Sequence, residues 1–83
     1  MKLAKFVKFR EEKFGGVLFE TRSEKVFTLN PTAAAIVREI HGGRDEAAIV
    51  SSLRERFRGE EAAIAREAST YIAQLRQQGL IED

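Results

Sequence analysis

The sequence contains no cysteine, so the chain can form no disulfide, thiolate metal site, cysteine nucleophile or iron–sulfur ligation of its own. It also has no apolar run near the roughly 20 residues that span a bilayer. Its first residues, MKLAKFVKF, carry scattered charges that a signal peptide lacks. Together these absences predict a cytoplasmic protein.

Residues that commonly catalyse reactions are scarce. The single histidine, His41, falls in the last turn of a predicted helix, where the helix dipole favours a cation. Gly15-Gly16 and Gly42-Gly43 lack the context of a phosphate-binding loop, and are better explained as turns. The predicted helices carry hydroxyl groups at Ser51, Ser52, Ser69 and Thr70. No His/Asp arrangement that could activate one of them as a nucleophile lies nearby in the sequence. The sequence therefore predicts a protein that is not an enzyme, with no metal and no cofactor.

The first third of the chain has the pattern of a small sheet. The 83 residues suffice for a single domain, residues 1–83, with a small core. Short β-prone runs occupy about 5–9, 17–19 and 26–29, and glycine or polar residues separate them. Because the connections are short, they favour an antiparallel meander of three strands.

The remaining residues have the pattern of three helices. Asn30 and Pro31 predict the start of the first helix, and Gly42 its end as the left-handed residue. Asp45 is a suitable cap for a second helix, a third runs from about Glu61 to Gly79, and we expect Leu80 and Ile81 to fold back onto the core. The predicted fold class is α+β, winged helix-turn-helix-like: a three-stranded antiparallel sheet followed by three helices.

Such a fold also occurs in small DNA-binding proteins, which is one alternative function. The N-terminal residues of a recognition helix enter the major groove. Here those residues are Glu60 and Glu61, in a segment (60–83) with net charge −3 from two Arg and five acids. The best basic cluster, Arg54, Arg56 and Arg58, is interrupted by Glu55, whereas most DNA-binding domains carry a continuous basic patch. The charge pattern argues against nucleic acid as a partner.

The two edge strands of the meander differ in a way that favours peptide binding. The first strand region carries Lys2, Lys5 and Lys8, charges that discourage pairing with another strand. The third strand has Lys25 and then only VFTL, residues 26–29. An open edge of this kind can accept a peptide as an added strand. From the pattern alone, an edge covered by the third helix is an equal alternative.

Four segments together resemble the PqqD family of peptide chaperones, over about residues 5 to 81. They are GVLFE, LNPTAAAIV, the helix with Ile49, Val50 and Leu53, and QLRQQGLI. The resemblance implies a winged-helix-like fold without catalysis. It also implies a recognition domain that binds the leader segment of a ribosomally made precursor peptide. The leader would add as an antiparallel strand to the third strand, against the third helix, and be presented to a modifying enzyme.

The resemblance also implies which residues bind the peptide. Carried over by position, the strand residues are Lys25, Val26, Phe27, Thr28 and Leu29. The wall of the third helix would come from Ile64, Ala65, Ala68, Tyr71 and Ile72, with Arg66 at the rim facing an acidic leader residue. One departure is Glu24, which stands where relatives often have glycine and leaves the geometry of this turn in question.

The partner enzyme is less defined than the peptide. The segment FGGVLF, residues 14–19, looks more like chaperones of radical S-adenosylmethionine (radical SAM) maturases than like lasso-peptide proteins that deliver a precursor to a leader peptidase. With no cysteine here, any iron–sulfur cluster would belong to the partner chain. A further alternative is a dimerisation module that uses the same strand edge.

Overall fold

The computed structural model describes residues 1–56 and 61–82 as two small sheets and three helices. The strands are β1 (Lys2–Leu3), β2 (Val7–Glu12), β3 (Gly15–Glu20), β4 (Lys25–Leu29) and β5 (Ile81–Glu82). The helices are α1 (Pro31–His41), α2 (Glu46–Arg56) and α3 (Glu61–Gln77). The predicted α+β architecture, a three-stranded antiparallel sheet followed by three helices, is confirmed.

The main sheet has the order β2-β3-β4, with antiparallel pairing throughout. Leu18 of β3 lies opposite Phe9 of β2 and Phe27 of β4. Side chains of a strand alternate between its two faces, and Leu18 is fully buried. This row therefore defines the inner face of the sheet, against which α1 packs.

The first helix starts where local chemistry predicts. The Oδ1 atom of Asn30 accepts a hydrogen bond from the Ala33 N–H at 2.8 Å, and Pro31 is the first helical residue. Pro31 lacks an N–H at a position where that group would have no helical partner. Asn30 is therefore the only residue between the end of β4 and the start of α1.

The end of α1 differs from the prediction by one residue. Gly42 caps the helix in a right-handed conformation, with φ −76°, and Gly43 is the left-handed residue, with φ 84°. Gly42 still donates to the Arg38 carbonyl at 3.0 Å, so it continues the helical hydrogen-bonding pattern. A pair of glycines in sequence does not indicate which of the two turns the chain.

The last residues of α3 and the N-terminus form a contact that the sequence pattern did not predict. Gly79 is left-handed, with φ 74°, and ends α3 as predicted. Leu80 and Ile81 then return to the core and are 1% and 4% exposed. Ile81 pairs with Leu3 in the two-stranded β1–β5 sheet.

The core lies between the inner face of the main sheet and the three helices. Its central members include Leu18, Val37, Ile40, Ile49 and Ile72, each with no exposed side-chain surface. No buried polar or charged side chain occurs among the residues described. Packing of apolar side chains thus holds the helices on this side of the sheet.

Candidate functional site

β4 is an edge strand of the main sheet, and its hydrogen bonding can be assigned residue by residue. The Thr21 N–H donates to the Phe6 carbonyl at 2.9 Å, in register with the β2–β3 pairs. Antiparallel pairs alternate between bonded and non-bonded, and a central strand directs alternate residues to its two neighbours. Phe27 is therefore bonded to β3, whereas Val26 and Thr28 direct their N–H and C=O groups away from the sheet. The edge offers two donors and two acceptors.

The side chains of β4 divide between two faces. Phe27 is half-buried and Leu29 is 3% exposed, both on the inner face. Val26, 60% exposed, and Thr28 lie on the opposite face. For Val26 and Thr28 the backbone is thus the part that faces an added strand.

A largely apolar cavity of about 420 Å³ lies between the start of α1 and the first half of α3. From α3 it is lined by Ile64, Glu67, Ala68 and Tyr71. Asn30, Thr32 and Ala33 line it from the β4–α1 junction, and Ile36 and Leu53 complete it. This volume is large enough for a bulky apolar side chain.

A second cavity, also of about 420 Å³, lies at the other end of β4. Lys25 and Phe27 line it on the strand side, and Gln78, Gly79 and Leu80 line it at the end of α3. Glu20, Arg22 and Ser23 of the β3–β4 turn complete it. The start of β4 is thus near the end of α3, and the end of β4 is near its first half. We call the space along the β4 edge that includes both cavities the β4–α3 groove.

The predicted helix residues occupy different places relative to this groove. Ile64, Ala68 and Tyr71 line it. Ile72 is fully buried in the core, as Leu29 is nearly so on the strand side. Ala65 is half-buried and Arg66 is exposed, and neither lines a cavity described above.

Glu67 is a groove residue that the sequence prediction omitted. It lies three residues after Ile64 and four before Tyr71, so helical spacing places all three on one side of α3. That spacing was sufficient to identify it. Asn30 was assigned only to helix capping and Thr32 was given no role of its own, because their approach to α3 depends on tertiary packing.

The charges of the groove differ between its ends. Among the described residues that line the first cavity, only Glu67 is charged, whereas Glu20, Arg22 and Lys25 line the second. Arg22 Nε lies 3.7 Å from a carboxylate oxygen of Glu20, in an ion pair whose arginine side chain is exposed. Burial raises the pKa of the Tyr71 phenol above its usual 10.0, so the ring stays neutral at physiological pH.

The β3–β4 turn is fixed by one carboxylate. The backbone N–H groups of Arg22 and Ser23 donate to Glu20 at 3.1 and 2.8 Å, and the Ser23 hydroxyl donates to the same group. Hydrogen bonding from Ser23 holds the pKa of Glu20 below its usual 4.5. Glu24 completes the turn in the left-handed region, with φ 60°. The turn thus has the positive φ that glycine would adopt more readily.

Outside the groove, the described residues form no metal-binding cluster. No group of three His, Asp or Glu side chains within 1–56 and 61–82 could hold a metal ion. None of the helices, over the same ranges, is long and apolar enough to cross a membrane.

For the DNA-binding alternative, Arg54 and Arg56 are exposed at the end of α2. Arg58 and Glu60, which are also part of this alternative, lie outside the described residues. The structure does not describe the side chain of Glu61.

Solved structures with this fold include two whose proteins are complexed with leader peptides. "Lasso peptide synthetase B1 complexed with the leader peptide" is 24% identical, with a TM-score of 0.85 over 99% of this chain and 96% of that chain. "TbiB1 in Complex with the TbiA(beta) Leader Peptide" is 18% identical, with a TM-score of 0.90 over 99% and 95%. At these identities the likeness establishes the fold.

A search of curated proteins gave no match. The family model described as coenzyme PQQ synthesis protein D matches residues 15–81, from β3 to the first residue of β5. The chain therefore belongs to the PqqD family.

Proposed function

We propose that the chain is a non-catalytic chaperone for the leader segment of a ribosomally made precursor peptide. The leader adds as an antiparallel strand to β4, lies in the β4–α3 groove, and is presented to a modifying enzyme. The observation that carries this proposal is the β4 edge, where Val26 and Thr28 direct backbone groups outward beside a groove with an apolar cavity. Family membership and the fold support it.

Backbone and side chains have different tasks in this proposal. The outward N–H and C=O groups of β4 supply affinity that is independent of the peptide's sequence. Alternate side chains of an added strand point towards the helices, where the cavity beside Ile64, Ala68 and Tyr71 can accept an apolar one. An antiparallel leader has its N-terminal end beside this cavity and its C-terminal end beside Lys25. The pairing of Arg66 with an acidic leader residue stays a prediction.

The enzyme that receives the peptide follows from the resemblance rather than from the groove. The segment FGGVLF favours a radical SAM maturase, and the alternative is a leader peptidase of a lasso-peptide pathway. The two solved proteins of this fold named above are complexed with leader peptides, and one of them is a lasso peptide synthetase. The precursor and the enzyme encoded beside this chain distinguish the two partners.

Proline substitution tests strand addition directly. Proline has no N–H, so Thr28→Pro removes one outward donor of β4 without removing a bond to β3. The matched control is Glu11→Pro on β2, the other edge strand, where alternation also directs the N–H outward. We expect Thr28→Pro to weaken binding of the precursor peptide encoded beside this chain by about tenfold, the effect of one lost hydrogen bond in a paired strand. Glu11→Pro should leave it unchanged.

Nuclear magnetic resonance (NMR) and tyrosine fluorescence provide independent measurements of where the peptide binds. The wild-type amide signals of Val26, Thr28 and α3 should shift on titration, and the fluorescence of Tyr71, the only tyrosine in a chain without tryptophan, should change. Equal affinity of the wild type and Thr28→Pro would contradict strand addition. Shifts confined to α2 would contradict the groove.

A further inference from the structure

The outer face of the main sheet, opposite the helices, carries more apolar surface than a solvated face requires. A sheet with one face on the core usually presents polar side chains on the other. Here two of the four exposed large hydrophobic residues of the described chain lie on this face: Phe19, 36% exposed, and Val26, 60%. We define the outer-face patch as Val17, Phe19 and Val26, with the flanking cations Lys8 and Arg10.

The register brings these residues together. Lys8, Phe19 and Val26 form one row across the three strands, and Arg10 and Val17 begin the next. A cavity of about 430 Å³ lies among Lys8, Arg10, Val17, Phe19 and Val26, with Phe9 completing its lining. The patch is thus concave as well as apolar.

The charges around the patch are mainly positive. Lys8 and Arg10 of β2 both line its cavity. Arg10 is paired with Glu12 at 2.6 Å, which leaves Lys8 as the cation beside Phe19. A complementary partner surface would have an apolar centre and an acidic rim.

The size of the patch argues against a second copy of this chain as its occupant. Three strands about 14 Å wide and five residues about 17 Å long give a face of about 240 Å². A stable interface buries about 800 Å² on each partner. The patch fits a transient contact, and it adjoins the edge at which the peptide would add.

We propose that the outer-face patch is the docking surface for the modifying enzyme, through an enzyme surface with an apolar centre and an acidic rim. This inference rests on the proposed function, because a peptide strand on β4 would place its alternate side chains beside Val26 and Thr28, on the same face. The enzyme then contacts the patch and the outward side of the bound peptide together. Peptide binding consequently strengthens enzyme binding, and the reverse holds to the same extent.

The test uses matched variants and the purified modifying enzyme encoded beside this chain as the probe. Phe19→Thr removes apolar surface while keeping strand propensity. Phe14→Thr is the control, since Phe14 is 52% exposed in the β2–β3 turn, outside the patch. Lys8→Glu reverses a charge of the patch, and Lys13→Glu, in the same turn as Phe14, is its control.

Phe19→Thr should weaken enzyme binding about tenfold or more, as expected for an anchor in a small interface. Lys8→Glu should lower the association rate and reduce its dependence on salt. The control variants should bind the enzyme as the wild type does, and all four variants should bind the precursor peptide alone unchanged.

Three outcomes would overturn this inference. The first is equal enzyme binding by wild type and patch variants. The second is wild-type protein that binds the peptide but not the enzyme. The third is self-association in analytical ultracentrifugation that Phe19→Thr abolishes, which would assign the patch to a dimer. Failure of the wild type to bind the peptide at all is a different result, because it contradicts the proposed function itself.

Discussion

Glu20 holds the β3–β4 turn through three hydrogen bonds, two of them from backbone N–H groups. Because its pKa is lower in the folded chain than in the unfolded one, the ionised form stabilises the fold. This contribution is fully present above the unfolded pKa and is lost as pH falls through the folded pKa. It should therefore disappear in the acidic range below about pH 4.5.

A carboxyl titration followed by NMR checks this expectation. The midpoint for Glu20 should lie below 4.5, and Ser23→Ala should move it towards that value, since Ser23 supplies the largest cause of the shift. Glu20→Gln should lower stability at pH 7 and make urea unfolding less sensitive to pH between about 3 and 5. A Glu20 midpoint in Ser23→Ala that equals the wild-type midpoint would contradict this account.

Glu24 adopts a left-handed conformation, with φ 60°, that costs an L-residue about 1–2 kcal/mol. Glycine has no such cost but loses about 0.5–1 kcal/mol more in backbone entropy on folding. Glu24→Gly should therefore stabilise the protein by about 0.5–1 kcal/mol in urea unfolding. Glu24→Ala is the control, because it removes the side chain and keeps the Cβ atom. Equal gains from the two variants would exclude backbone conformation as the cause.

The β2–β3 hairpin and the β4–α1 junction are held together by a close approach at Gly15. Its φ is 142°, and a Cβ atom there would contact the Leu29 carbonyl oxygen and lie 2.6 Å from the Asn30 carbonyl carbon. These are backbone atoms, which cannot move aside as a flexible side chain does. Gly15 thus keeps the end of β4, and with it one end of the groove, in place.

Substitution of two glycines separates crowding from conformation. Gly15→Ala should cost about 2–3 kcal/mol, because the added methyl group overpacks the junction and the backbone is strained. Gly43 is also left-handed, with φ 84°, but nothing lies within 4 Å of a Cβ atom there. Gly43→Ala should therefore cost only about 1 kcal/mol. Equal losses in chemical denaturation would show that crowding at Gly15 contributes nothing.

The elements predicted correctly are those specified by nearby residues. Asn30 and Asp45 cap α1 and α2 through their own side chains, with bonds of 2.8 and 2.9 Å, so the helix starts could be identified from sequence. The β1–β5 sheet could not, because Leu3 and Ile81 meet across nearly the whole chain in strands of two residues each. The turn residues of the second cavity, such as Arg22, were missed for the same reason: their distance from α3 depends on tertiary packing.

At the scale of the whole molecule, residues that pack on the core also line the groove proposed to bind the peptide. Phe27 packs on the core and also lines the second cavity, and Tyr71 does the same at the first. A domain of this length buries only about 60% of its unfolded surface and is marginally stable. An added strand that buries the rest of the groove should therefore stabilise the fold measurably.

Thermal unfolding with the precursor peptide encoded beside this chain measures that stabilisation. Peptide at 100 times its Kd should add about 2.7 kcal/mol, since it binds only the folded state. For a domain of this size that corresponds to a rise in Tm of about 10–20 °C. A peptide of the same composition in scrambled order is the control, because nonspecific apolar contact would act equally with both. An equal rise in Tm with the scrambled peptide would mean that the groove does not discriminate between peptide sequences. A smaller rise in Thr28→Pro would attribute the effect to the β4 edge.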